Sequence, residues 1–150
     1  MSRKSELMMK ASFEEVLARE AAALAGVSDA EGLNRWRIGV LRMVTDADSP
    51  YARVLQPMGD LQDRARFVES WSDLIAAALA RVAGGASNSK SINVSQMGVS
   101  VVAALYGGAV LSRVAREPSP LRISVGLALA PLLPADEDPS RSSRAGLSVQ

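Results

Sequence analysis

"VSVVAALYGGAVLSRVAREPSP", residues 99–120, decides how this sequence folds. Its apolar residues keep helical spacing, yet Gly107 and Gly108 stand side by side in the middle. Each glycine costs a helix interior about 1 kcal/mol relative to alanine. Pro118 and Pro120 then forbid continuation. The pattern predicts a helix from Val94 to Arg116, and its glycines need a reason. A membrane is one candidate, because no charge occurs between Ser91 and Ser112. However, Ser91, Asn93, Ser95, Gln96 and Ser100 dilute that stretch, and its core from Met97 to Leu111 has only 15 residues. A spanning helix needs about 20 predominantly apolar residues. The sequence favours a buried helix and no membrane.

On either side the pattern is also helical. A first helix is predicted over Lys4–Ala25, with Phe13, Val16, Leu17, Ala21 and Leu24 as its apolar stripe and Gly26 as its stop. Ser28 and Glu31 have capping-box spacing before a second helix, Asp29–Val44, whose apolar side is Leu33, Trp36, Val40, Leu41 and Val44. Arg35, Arg37 and Arg42 lie off that side and read as a solvated face. Ser49-Pro50 is a cap-and-first-turn pair for a short helix, closed by Pro57 and Gly59. The third long helix, Asp60–Ala83, carries Leu61, Ala65, Val68, Trp71, Leu74, Ile75, Ala78, Leu79 and Val82. A small-residue loop, "GGASNSKSIN", leads into the glycine helix. Ser119-Pro120 repeats the cap-then-proline pattern before a last helix that reaches Leu133, with Pro131 fraying its end. Residues 1–134 thus read as one domain of five main helices plus a short one, and 135–150 as a disordered tail.

Composition narrows the function. The chain has 150 residues, of which 48% are hydrophobic, 22% charged and 4% aromatic, so Ala, Leu and Val must fill most of an all-α core. Net charge is +1, which makes no electrostatic case for nucleic acid. There is no cysteine and no histidine. Disulfides, thiolate or imidazole metal sites and the usual base of nucleophilic triads are thereby excluded. Asp46 with Asp48, and Asp136 to Asp138, are the carboxylate clusters, and capping or solvation accounts for them. No catalytic residue, metal or cofactor is predicted. "MSRKSELMMKASFEEVL" is too interrupted by charge for a secretory signal, and a cytoplasmic setting fits.

On the glycine helix, Ser100, Ala104, Gly108 and Ser112 recur every four residues, with Ala103 and Gly107 beside them. Such a strip lets another helix come close, either within the chain or from a second copy. The last helix favours a second copy. Leu121, Val125, Ala128 and Leu132 form one stripe, Leu127, Leu129 and Leu133 extend it, and Arg122 is its single charge. The expected homodimer is an intermolecular four-helix bundle, with Ser100, Ala104, Gly107, Gly108, Leu111, Ser112, Leu121, Val125, Ala128 and Leu132 at its interface.

The order of these features resembles the C-terminal ligand-sensing and dimerisation domain of the TetR family, closest to its LmrA/YxaF-like branch. Lys4 and Leu7 match a K-x-x-L segment, and "DADSPYARVLQPM" matches a small-residue-Pro segment in which the branch usually has Cys-Pro. "FVESWSDLIAAALARVAGGA" matches a helix with a central Trp. Leu105, Gly107 or Gly108, Leu111, Arg113 and Pro120-Leu121 match an L-x-G-x-x-L-x-R…P-L pattern. The resemblance implies a hydrophobic small-molecule effector held among the helices, with the first helix as lever. Trp36, Val40, Met43, Leu55, Met58, Trp71 and Ile75 are the expected pocket residues, with Arg37 and Tyr106 as its orienting polar groups. DNA would be read only through a helix-turn-helix absent from this chain, expected ahead of residue 1. A ligand-free helical dimerisation module is the alternative.

Overall fold

The computed structural model describes residues 2–85 and 92–134. Among them are six α-helices: α1 (Arg3–Ala25), α2 (Ala30–Thr45), α3 (Pro50–Val54), α4 (Leu61–Gly84), α5 (Val94–Ala115) and α6 (Ser119–Leu129). A 3-10 turn, Ala130–Leu132, ends the last one where Pro131 was expected to fray it. The described residues contain no strand, so the all-α reading holds. The expected tail, 135–150, and most of the α4–α5 loop lie outside the described residues.

The helix starts follow short polar residues. Ser2, Asp29, Ser49, Asp60 and Asn93 each accept a hydrogen bond from a first-turn amide, which relieves one orphan donor of the helix they begin. Two caps differ from the sequence reading. At α2 the cap is Asp29, whose carboxylate takes the Gly32 amide at 2.7 Å, so Ser28 and Glu31 do not form a capping box. At α6 no side chain of the turn caps, and Ser119 is already inside the helix. The amide of Leu121 is satisfied across the hairpin by Ser112 Oγ at 3.0 Å.

The core runs through all six helices. Val16, Leu33, Val54, Trp71, Ile75, Leu79, Val101, Leu105, Val125 and Leu129 are essentially solvent-free. α4 is central, packing on α1 and α5, while α6 folds back along α5. Its buried row includes Phe67, which the sequence reading left out, whereas Leu61 at its exposed start is 82% accessible. Phe67 stacks on Phe13 of α1 (centroids 4.6 Å apart) and tilts against Trp71 (5.4 Å), fastening α1 to α4.

The adjacent glycines of α5 have opposite surroundings. A Cβ on Gly108 would lie 2.7 Å from both Leu121 Cα and Ser124 Oγ, so the α5 and α6 backbones touch there. Gly98 sits as tightly against α4, its Cβ direction 2.6 Å from the Ser72 carbonyl oxygen. Gly107 has nothing within 4 Å. By length and composition alone α5 passes as a membrane-spanning helix, a test that buried core helices also pass. In this structure it is clasped between α4 and α6.

Candidate functional site

On α1, Met9, Phe13, Val16, Glu20 and Leu24 recur at helical spacing and share one buried face. Glu20 is the anomaly, a carboxylate in an apolar row and only 2% exposed. Burying an unpartnered carboxylate is prohibitively unfavourable, so it must be solvated by the protein. Trp71 Nε1 of α4 donates to its Oε1 at 2.7 Å, and the Tyr51 hydroxyl of α3 donates to Oε2 at 2.9 Å. Trp36 Nε1 of α2 donates to both oxygens, at 3.3 and 3.4 Å. One side chain of α1 therefore joins three other helices, and its donors include both tryptophans of the chain.

All three donors are neutral. Burial raises the Glu20 pKa above its ordinary value of 4.5, and the three hydrogen bonds pull against that without cancelling it. Burial also raises the Tyr51 phenol, reinforced by the charge and hydrogen bond of Glu20, so its hydroxyl remains a donor.

Over this carboxylate a cleft of about 430 Å³ opens between α1 and α2. Arg19 and Ala23 form one wall, Arg35, Trp36, Val40 and Met43 the other, with Glu20 and Tyr51 between. Small residues leave the space: Ala23 lines one side, while Gly32 and Gly39 line the other. The turn joining the walls is braced from α4, where Arg81 donates to the carbonyls of Leu24 and Val27. The cleft thus offers an apolar and aromatic surface and two exposed guanidinium groups, over a carboxylate whose two oxygens are already taken by protein donors.

Of the expected pocket residues, the structure brings Trp36, Val40 and Met43 together in this cleft. Trp71 lies behind Glu20, and Ile75 is fully enclosed in the core. Leu55 is in the wall of another cavity, and Met58 is half exposed in the loop after α3. The two expected orienting groups are engaged within the protein. Arg37 donates to Asn34 Oδ1, at 2.9 Å from Nε. The Tyr106 hydroxyl donates to the Val54 carbonyl at 2.8 Å and accepts from Arg64 at 2.7 Å. Glu20 and Tyr51 were missed. The available signal was a glutamate in register with Val16 and Leu24, and a stripe drawn through Leu17 and Ala21 passed beside it.

The expected interface set divides in two. Gly108, Leu121, Val125 and Leu132 are buried within the chain, and Ala104, Ser112 and Ala128 are partly covered. The close contact made by Gly108 is thus intramolecular, with α6 of the same chain in the place the four-helix reading gave to a second copy. Ser100, Gly107 and Leu111 face outward. Val99, Val110 and Val114 of α5 and Ile123 and Leu127 of α6 are also large, apolar and exposed.

No family model matches this chain, and no curated protein or solved structure matches it significantly.

Proposed function

We propose that this chain is a small-molecule-sensing regulatory domain of the TetR-like kind its sequence resembles, with the Glu20 cleft as the effector site. The observation that carries this reading is the cleft over a buried carboxylate, walled by Trp36, Val40 and Met43. Its fitting ligand is a flat, apolar molecule that packs on Trp36, Val40 and Met43 beside the Arg19 and Arg35 guanidinium groups. Such a ligand would act by binding more tightly to one arrangement of α1 against α2 than to another. Glu20 ties α1 to α2, α3 and α4, so α1 is the natural lever. In this reading the protein is cytoplasmic, and DNA is contacted by a segment outside this chain.

Both tryptophans bond to Glu20, so intrinsic fluorescence reports on the site directly. Titration with a library of aromatic and lipophilic compounds should yield a saturable fluorescence change and a rise in thermal stability. A ligand at 100 times its dissociation constant adds about 2.7 kcal/mol. A library in which no compound moves either signal removes the effector-site reading.

A second reading, a dimerisation module without an effector, is favoured by the exposed apolar face of α5 and α6. Leu127 is 72% and Val114 78% exposed, and Val99, Val110 and Ile123 on the same two helices are exposed as well. Such a face marks an interaction surface. Light scattering distinguishes the cases. The dimer reading requires a wild-type dimer that Leu127→Asp converts to monomer, and a monomeric wild type sinks it.

A further inference from the structure

A second cavity, about 390 Å³, lies between the end of α2, α3 and the α5–α6 turn, and shares no residue with the Glu20 cleft. Val44, Leu55, Ala109 and Leu121, all buried residues, give it an apolar floor. Ala47, Ala52 and Ala109 leave the room, since none has a side chain beyond Cβ. A shallower groove of about 180 Å³ continues from it, sharing Thr45, Pro118 and Leu121 and reaching Leu41. Together they form an apolar trough rather than a closed pit.

The trough is edged by cations. Arg113 borders the larger part, and Arg42 and Arg122 border the extension, against Glu117 alone as a lining carboxylate. Among the described residues none of these three arginines forms an ion pair. Ser112 is already committed to the Leu121 amide. An apolar floor with an excess of unpaired guanidinium groups at its edge is complementary to a molecule with an apolar body and an anionic end. Arginine suits the edge because its stem can lie along apolar surface while the head meets the anion in water.

We propose that this trough binds an amphipathic carboxylate, with an acyl chain over Leu55, Ala109 and Leu121 and the carboxylate among the edge arginines. Occupation would brace the α5–α6 hairpin against α2 and α3 from a site separate from the Glu20 cleft.

Isothermal titration of the full chain with decanoate, decanol and decyltrimethylammonium tests this. Decanoate should bind best, decanol more weakly and the cation least. Reversing the edge with Arg113→Glu and Arg122→Glu, both exposed positions, should weaken decanoate by about tenfold, the scale of one lost charge-assisted hydrogen bond. Ala52→Leu fills part of the trough without touching the Glu20 cleft, and should also weaken decanoate. Equal binding of decanol and decanoate overturns the proposal, as does decanoate affinity unmoved by the charge reversal or by the filling substitution.

Discussion

Around Glu20, aromatic rings from three helices converge on one carboxylate; between α5 and α6, a glycine and two serines bring two backbones into contact. Five of the six aromatic residues belong to the first region, directly or through the Phe13–Phe67–Trp71 stack. The sixth, Tyr106, points from α5 to Arg64 and the Val54 carbonyl. The aromatic region gains contact by area and directed hydrogen bonds, and the small residues Ala23, Gly32 and Gly39 leave a cleft beside it. The hairpin gains it by removing side chains, so its contact tolerates almost no addition. One region is built to have room and the other to have none.

The largest effect should come from breaking the second statement. Gly108→Val puts a branched side chain where even a Cβ would stand 2.7 Å from Leu121 Cα. Backbone cannot swing aside as a flexible side chain can. The hairpin must separate, at a loss of about 3 kcal/mol or more, at or above the top of the usual overpacking range. Urea denaturation measures it, and a loss under about 1 kcal/mol would mean that the hairpin is not closely packed.

Next is Glu20→Ala. It removes the acceptor shared by Trp36, Trp71 and Tyr51, leaving three buried donors without their partner. Each such donor costs about 1–3 kcal/mol, partly offset because a buried charge also goes. A net loss of about 2 kcal/mol is expected from these opposing effects. The same variant should shift the tryptophan emission, since both indoles lose a hydrogen bond. Unchanged emission would show that Glu20 does not hold them in solution.

A smaller effect separates burial from hydrogen bonding at Glu20. Its pKa is raised in the folded protein, so the folded state holds the proton more tightly than the unfolded one. The stability this contributes is full below about 4.5, the unfolded value, and is lost as pH rises through the folded value. Glu20→Gln has no such proton. The stability of wild type minus that of the Gln variant should therefore fall with pH above 4.5. The background titration of the other carboxylates cancels in the difference. A flat difference would mean that the three donors fully compensate burial.

The two regions were unequally legible in the sequence. The helices followed from periodicity and from Ser49-Pro50, because capping and amphipathicity are local. Glu20 could not be read that way. Its meaning depends on Tyr51 and Trp71, which are 31 and 51 residues distant, and a glutamate on a helix is ordinarily solvated. The small strip of α5 was visible, but not which helix covers it. Spacing fixes a face, whereas choosing between α6 of the same chain and a partner needs the turn geometry. At that turn Arg116 takes a left-handed conformation, φ 58°, and folds α6 back onto the Gly108 side.

Gly107→Ala should have the smallest effect, and it turns on that choice. Gly107 stands in the middle of α5 with no atom within 4 Å of its Cβ direction. Nothing in the chain requires it to be glycine, so alanine should stabilise α5 by about 0.5–1 kcal/mol through the lower conformational entropy of the unfolded chain. That gain holds for an isolated protomer. If two copies associate through α5 and α6 with backbones meeting at Gly107, the added methyl weakens the dimer while it strengthens the monomer. Denaturation at low and high protein concentration separates the two. A gain at both concentrations means that Gly107 faces open water or a loosely packed interface. A gain at low concentration that disappears at high concentration means that Gly107 does for the partner what Gly108 does within the chain.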